Sequence, residues 1–183
     1  MRKRIGITLA TILLLSLNFQ TPPNGKCSST EYYSSHSIVY HGTEITNHTL
    51  THISDDLWYQ IISENQDPFE VLSVTLIFST SHYPTTITQI AITVEGHVET
   101  MADPNVIVRI YNFEQEKWLN LFYLTSTTDT TYTWNVTDTP SEFINTTGHI
   151  QLNFFYYHFY PQTLSIDYAF VTIVATKPRA LFT

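Results

Sequence analysis

From Phe69 to Thr80 the chain alternates, with Val71, Ser73, Thr75 and Ile77 on one side and Leu72, Val74, Leu76 and Phe78 on the other. Successive side chains of a strand point to opposite faces, whereas a helix repeats every 3.6 residues. This run therefore demands a sheet with an apolar layer against one face. The same period returns along the chain. Ile90, Ile92 and Val94 form the inward set of a strand over Ile87–Val94. Val106, Val108 and Ile110 oppose Ile107, Arg109 and Tyr111, while Ile150, Leu152 and Phe154 oppose Gln151, Asn153 and Phe155. Shorter strands are expected at Ser37–Tyr40, after the acidic turn Asp55-Asp56 through Ile62, and at Tyr132–Val136. The turn Asn112–Lys117 followed by Trp118–Phe122 predicts a hairpin, and Tyr156–Gln162 reads as a loop. His48 and His52 fall in a stretch that reads as extended.

The closing run Leu164–Val174 changes phase. Leu164 and Ile166 set one face, but Ala169, Val171 and Ile173 set the other. One extra residue is needed to shift phase, which predicts a β-bulge at Asp167-Tyr168. The single helical feature is one turn near residues 139–144, with Thr139 as cap, Pro140 at the first helical position and Glu142 closing a capping box. Strands separated by turn chemistry at short intervals predict an all-β antiparallel sandwich.

The N-terminus has a different character. Arg2, Lys3 and Arg4 precede the apolar run Ile5–Leu17, the pattern of a secretory signal helix. The run is short of the roughly 20 residues that span a bilayer. No small-x-small pair marks a cleavage point, so an uncleaved anchor is the alternative and the one expected route to a membrane. The expected organisation is a signal at residues 1–25, a flexible lead-in at 26–36, the sandwich at 37–176 and a tail at 177–183. Export agrees with three glycosylation triplets, at Asn47, Asn135 and Asn145. Cys27 is the only cysteine, so no disulfide closes within the chain, and Lys26 before it does not suit a lipidation site.

Three of the eight cations lie in the signal and none of the 16 acids does, so the remainder carries a net charge of −11. Phosphate contacts need clustered Lys and Arg, and this balance excludes nucleic-acid binding. Catalytic signatures are missing as well. No H-E-x-x-H or G-x-S-x-G occurs, and the five glycines form no phosphate loop. In an extended segment His48 and His52 would stand about 13 Å apart, too far to share one Zn²⁺. Glu95/Glu99 and Glu114/Glu116 do not suggest a pair facing across a cleft. The chain reads as a non-enzyme.

Rings are in surplus: 12 Tyr, 11 Phe and 3 Trp. Tyr111, Trp118, Phe155, Tyr156, Tyr157 and Tyr160 are the residues expected to touch a ligand, since flat rings accept the faces of sugars. The competing use of such rings is packing on another subunit.

The order of Gly42-Thr43, Ser54–Tyr59, Val108–Phe113 with Trp118, Thr137–Gly148 and Leu164-Ser165-Ile166-Asp167-Tyr168 resembles the galactose-binding-like jelly-roll modules of prokaryotic, notably archaeal, cell-surface proteins, which are similar to carbohydrate-binding modules. The resemblance implies a jelly roll and a secreted or cell-surface binding or adhesion role, with a glycan or another surface protein as partner. It also implies a structural Ca²⁺ near Asp167, with Asp55 or Asp56 as companions, although the Gly- and Asp-rich loop of a strong Ca²⁺ site is missing. No cofactor is otherwise required. The alternatives are a surface-layer or fibre subunit that self-associates when residues 28–40 add to a neighbour's sheet, and a hydrolase or its accessory domain.

Overall fold

The computed structural model describes residues 27–53, 57–82, 86–100 and 105–176. The segments expected as signal and tail, and Asp55 and Asp56, lie outside these residues. Eleven strands follow in order: β1 (Cys27–His41), β2 (Thr43–Glu44), β3 (Tyr59–Ile62), β4 (Glu64–Gln66), β5 (Phe69–Ser79), β6 (Ile87–Val98), β7 (Val106–Asn112), β8 (Lys117–Leu124), β9 (Thr130–Val136), β10 (His149–His158) and β11 (Thr163–Thr176). Every pairing is antiparallel. In one layer β9, β6 and β11 lie side by side, with β3 and the first half of β1 sharing the far flank of β11. The other layer runs β8, β7, β10, β5, with β4 and the second half of β1 sharing the far flank of β5. From β3 to β4, β5 to β6, β6 to β7, β8 to β9, β9 to β10 and β10 to β11 the chain crosses between layers, the connectivity of a jelly-roll sandwich.

The layers meet on the expected faces. Leu72, Val74, Leu76 and Phe78 of β5, with Ile150, Leu152 and Phe154 of β10 and Val106, Val108 and Ile110 of β7, face Ile90, Ile92 and Val94 of β6 and Ala169, Val171 and Ile173 of β11. Burying each large side chain contributes about 1.5–3 kcal/mol, so this core dominates the stability. The bulge stands where the phase change required it. Ile166 pairs with Gly96 and Tyr168 with Glu95, which leaves Asp167 as the extra residue. Backbones approach closely there: a Cβ on Gly96 would lie 2.4 Å from the Ser165 carbonyl oxygen.

Four expectations change. Residues 27–36 are not a flexible lead-in but part of β1, which pairs Cys27–Tyr33 with β11 and then leaves that sheet to pair from Ser34 with β5. Most of this segment is exposed, so backbone pairing specifies it rather than an apolar face. Residues His48–His52 are a 3₁₀ turn, not extended: the Asn47 side chain accepts a bond from the Thr49 amide at 3.0 Å and closes the turn. A short turn is present at Pro140–Phe143, but Thr139 adopts left-handed backbone and its side chain makes no cap. Glu142 instead accepts a 2.7 Å bond from the Asn112 amide of β7, which holds its carboxyl below the usual range. Finally, the expected loop at 156–162 begins later, because β10 runs on to His158.

Candidate binding face

The outward face of the β8-β7-β10-β5 layer follows from register alone. Tyr111 stands opposite Trp118, Arg109 opposite Asn120 and Ile107 opposite Tyr123. Across the next pairings Arg109 meets Asn153 and Ile107 meets Phe155. Phe155 then meets Ser73, Asn153 meets Thr75, and Tyr157 meets Val71. Four of the expected ligand residues, Tyr111, Trp118, Phe155 and Tyr157, are thereby gathered on one surface by three strands.

Tyr156 is a correction. It follows Ile150, Leu152 and Phe154 in the inward phase, is 1% exposed, and donates its hydroxyl to the Tyr160 carbonyl at 2.8 Å. Its burial raises the phenol pKa. Tyr160 lies off the sheet in the turn after β10, exposed and tilted against His158 with ring centres 5.3 Å apart. Phe69 joins the surface unannounced: it stacks on Tyr157 at 4.4 Å and packs against Phe159 at 4.8 Å.

Arg109 and Asn153 organise the centre. The guanidinium of Arg109 sits 4.1 Å from the centre of the Phe155 ring and 5.6 Å from that of Trp118. Such contacts contribute about 0.5–2 kcal/mol each as desolvation increases. Nε and Nη2 both donate to Oδ1 of Asn153, at 3.1 and 2.6 Å. Nδ2 of Asn153 donates in turn to Ser73 Oγ, the Val74 carbonyl and Thr75 Oγ1, at 3.2, 3.1 and 3.0 Å. Asn153 and Thr75 are each only 1% exposed although they face away from the core. Arg109 is half-buried, and desolvation lowers its pKa from the usual guanidinium value. Both residues were visible in the outward phase of their strands, but an isolated polar residue there reads as solvated. Beyond them, Trp118 meets Tyr111 edge-on at 5.1 Å, and Tyr111 meets Phe113 at 5.0 Å. The result is a band of rings with one cation and one carboxamide at its middle.

The other expected sites are dispersed. Asp167 is 2% exposed at the bulge. Among the described residues no group of three or more His, Cys, Asp or Glu side chains could hold a metal ion. His48 and His52 have ring centres 6.3 Å apart, and His52 Nε2 is committed to the Ser34 carbonyl at 2.8 Å. Of the glycosylation candidates, Asn47 and Asn135 are exposed, and Asn145 is half-buried with its Oδ1 organising the turn into β10.

A concavity of about 290 Å³ opens between the edge strands β8 and β9. Leu119, Leu121, Trp134 and Val136 line it, together with the buried side chains of Ile110 and Phe143.

No family model and no curated protein sequence matches the chain. Among solved structures, it is similar to a family 29 carbohydrate-binding module from Piromyces equi, with 11% identity over 80% of this chain and 91% of that one, at a TM-score of 0.42. It is also similar to TmCBM61, solved in complex with β-1,4-galactotriose, with 7% identity over 83% and 89% of the two chains and a TM-score of 0.39. A third likeness is to the enzymatically active domain of tailspike protein 4 from bacteriophage CBA120, with 9% identity over 82% of this chain and 19% of that one, at a TM-score of 0.38.

Proposed function

We propose that the protein is a non-catalytic, exported glycan-binding module, and that the ring-bearing face of the β8-β7-β10-β5 layer is where the sugar sits. One observation carries this. Tyr111, Trp118, Phe155 and Tyr157 are aligned across adjacent strands on a face the core does not use, around polar groups fixed by their own hydrogen bonds. Sugar rings present apolar C–H faces that stack on aromatic rings and hydroxyls that need fixed donors and acceptors. Preformed polar groups lower the ordering cost of binding. The rival reading, a subunit assembling by donating residues 28–40 as a strand, has lost its donor: that segment pairs within its own chain.

The test is a glycan array followed by titration of the full chain with the best-binding oligosaccharide. Trp118→Ala and Phe155→Ala should each weaken binding at least tenfold, with the melting temperature changed by only a few degrees. Unchanged affinity in both variants, or no glycan bound by the wild type, refutes the proposal.

A further inference from the structure

The described residues hold thirteen acids but only two Lys or Arg, Arg109 and Lys117, both in the β7-β8 hairpin. Among the described residues Arg109 nevertheless has no carboxylate at ion-pair distance: the two ion pairs there are His41–Glu64 and His97–Asp129. The face around it is equally bare of acids. Its outward positions are Phe69, Val71, Ser73, Thr75, Ile77 and Ser79 on β5; His149, Gln151, Asn153, Phe155 and Tyr157 on β10; Ile107 and Tyr111 on β7; and Trp118, Asn120 and Tyr123 on β8. Glu64 of β4, beyond β5, is bonded at 2.7 Å to His41, and Glu142, beside the far end of β7, accepts from Asn112 and Gln115.

A half-buried guanidinium in an acidic chain is normally neutralised by a protein carboxylate. Here one edge, Nε and Nη2, is filled by a neutral amide. A guanidinium carries five N–H donors, so three remain without an acceptor among the described residues. They include the Nη1–Nη2 edge, whose two parallel N–H groups match the two oxygens of a carboxylate. The amide fixes the fork while leaving its charge uncancelled. The flanking Phe155 and Trp118 rings hold it level with a surface on which a sugar can stack.

We propose that the glycan recognised on this face carries carboxylates, as uronic-acid polysaccharides do, and that Arg109 is their receptor. This rests on the glycan-binding reading above and adds the chemical class of the sugar.

The experiment titrates the full chain against polygalacturonate and alginate, the same polymers after carboxyl reduction, a sulfated galactan, and neutral polysaccharides. Binding to at least one native polyuronate is expected to be tenfold or more tighter than to its reduced form, equivalent to about 1.4 kcal/mol. Arg109→Met should lose at least that factor, and Arg109→Lys, which keeps the charge without the fork, should recover only part of it. Equal binding to native and reduced polymer overturns the carboxylate requirement and leaves the glycan reading standing, as does a preference for neutral polysaccharides. Tighter binding of the sulfated galactan overturns it in favour of sulfate. Binding to none of the polymers removes both readings together. If Arg109→Met does not fold, the native-against-reduced comparison on the wild type still decides.

Discussion

Replacing Asn153 with alanine tests whether the polar centre of the outward face is also part of what holds the layer together. The carboxamide is 1% exposed and serves five contacts: two N–H bonds received from Arg109 and donations to Ser73, Val74 and Thr75. Its two N–H groups cover three acceptors, so at least one proton is shared. A neutral hydrogen bond contributes about 0.5–1.5 kcal/mol net and one to a charged group about 1.5–3. Counting two neutral bonds and one charged bond at the low end, because Arg109 is only half-buried, gives a loss of about 2–4 kcal/mol for Asn153→Ala. In a domain of this size each kcal/mol moves the melting temperature by roughly 2–4 °C, so a fall of about 5–15 °C is expected. Urea unfolding followed by tryptophan fluorescence should show a lower midpoint with an unchanged slope. Ser73→Ala leaves the amide two other acceptors and should lose less than about 1 kcal/mol. An Asn153→Ala loss below about 1 kcal/mol would refute the network as a structural element.

Three further outcomes are expected. Gly96→Ala places a methyl 2.4 Å from the Ser165 carbonyl oxygen beside the bulge; the backbone must yield, and the loss should be about 1–3 kcal/mol by urea unfolding, whereas no loss would mean that the two strands separate freely there. His48 is held below its ordinary pKa of 6.5, chiefly by burial and then by neighbouring His52 and His36, against the opposing pull of the Ser35 backbone and Glu44. The unfolded chain then binds the extra proton first, so stability rises with pH through this range and falls on acidification below about 6.5; His48→Gln should flatten the melting-temperature profile between pH 5 and 7.5, and an unaltered profile would contradict the assignment. Tyr156→Phe removes the 2.8 Å bond that ties the turn after β10 to the core; a loss of about 1 kcal/mol is expected, with faster amide exchange at Phe159, Tyr160 and Gln162, and unchanged exchange would show the turn is held by other contacts.

The inward faces were legible because a strand's side-chain period is an integer. Leu72 to Phe78 and Ile150 to Phe154 could be assigned without knowing what opposed them, and the Asp167 bulge was legible as a broken count. Rings at 154–160 were harder, because Phe154-Phe155-Tyr156-Tyr157 offers no polar residue to mark the outward side. Carrying the phase forward from Ile150 would have placed Tyr156 in the core. The first half of β1 could not be found this way: its outward residues are Ser, Thr, Glu and Tyr, and its position is set by amide pairing with β11, which leaves no trace in side-chain pattern. The turn at 48–52 depends on a single Asn47 side chain. The Arg109–Asn153 pair spans 44 residues of sequence and depends on β7 and β10 being neighbours, which is topology rather than local chemistry.

The pairing of β1 with β11 has a mechanical consequence. Cys27 stands opposite Thr176, and the seven rungs of that ladder run from there to Tyr33–Phe170. Force applied between residues 27 and 176 therefore meets the ladder at its open end. It would unzip one rung at a time instead of shearing all seven together. A sandwich can be thermally stable and still give way early under such a load. If it is tethered at both ends, extension would begin by peeling β1 toward the corner at Ser34, where the strand passes to the other sheet. The ring-bearing face, on the layer that β1 enters only after that corner, would be among the last parts disturbed.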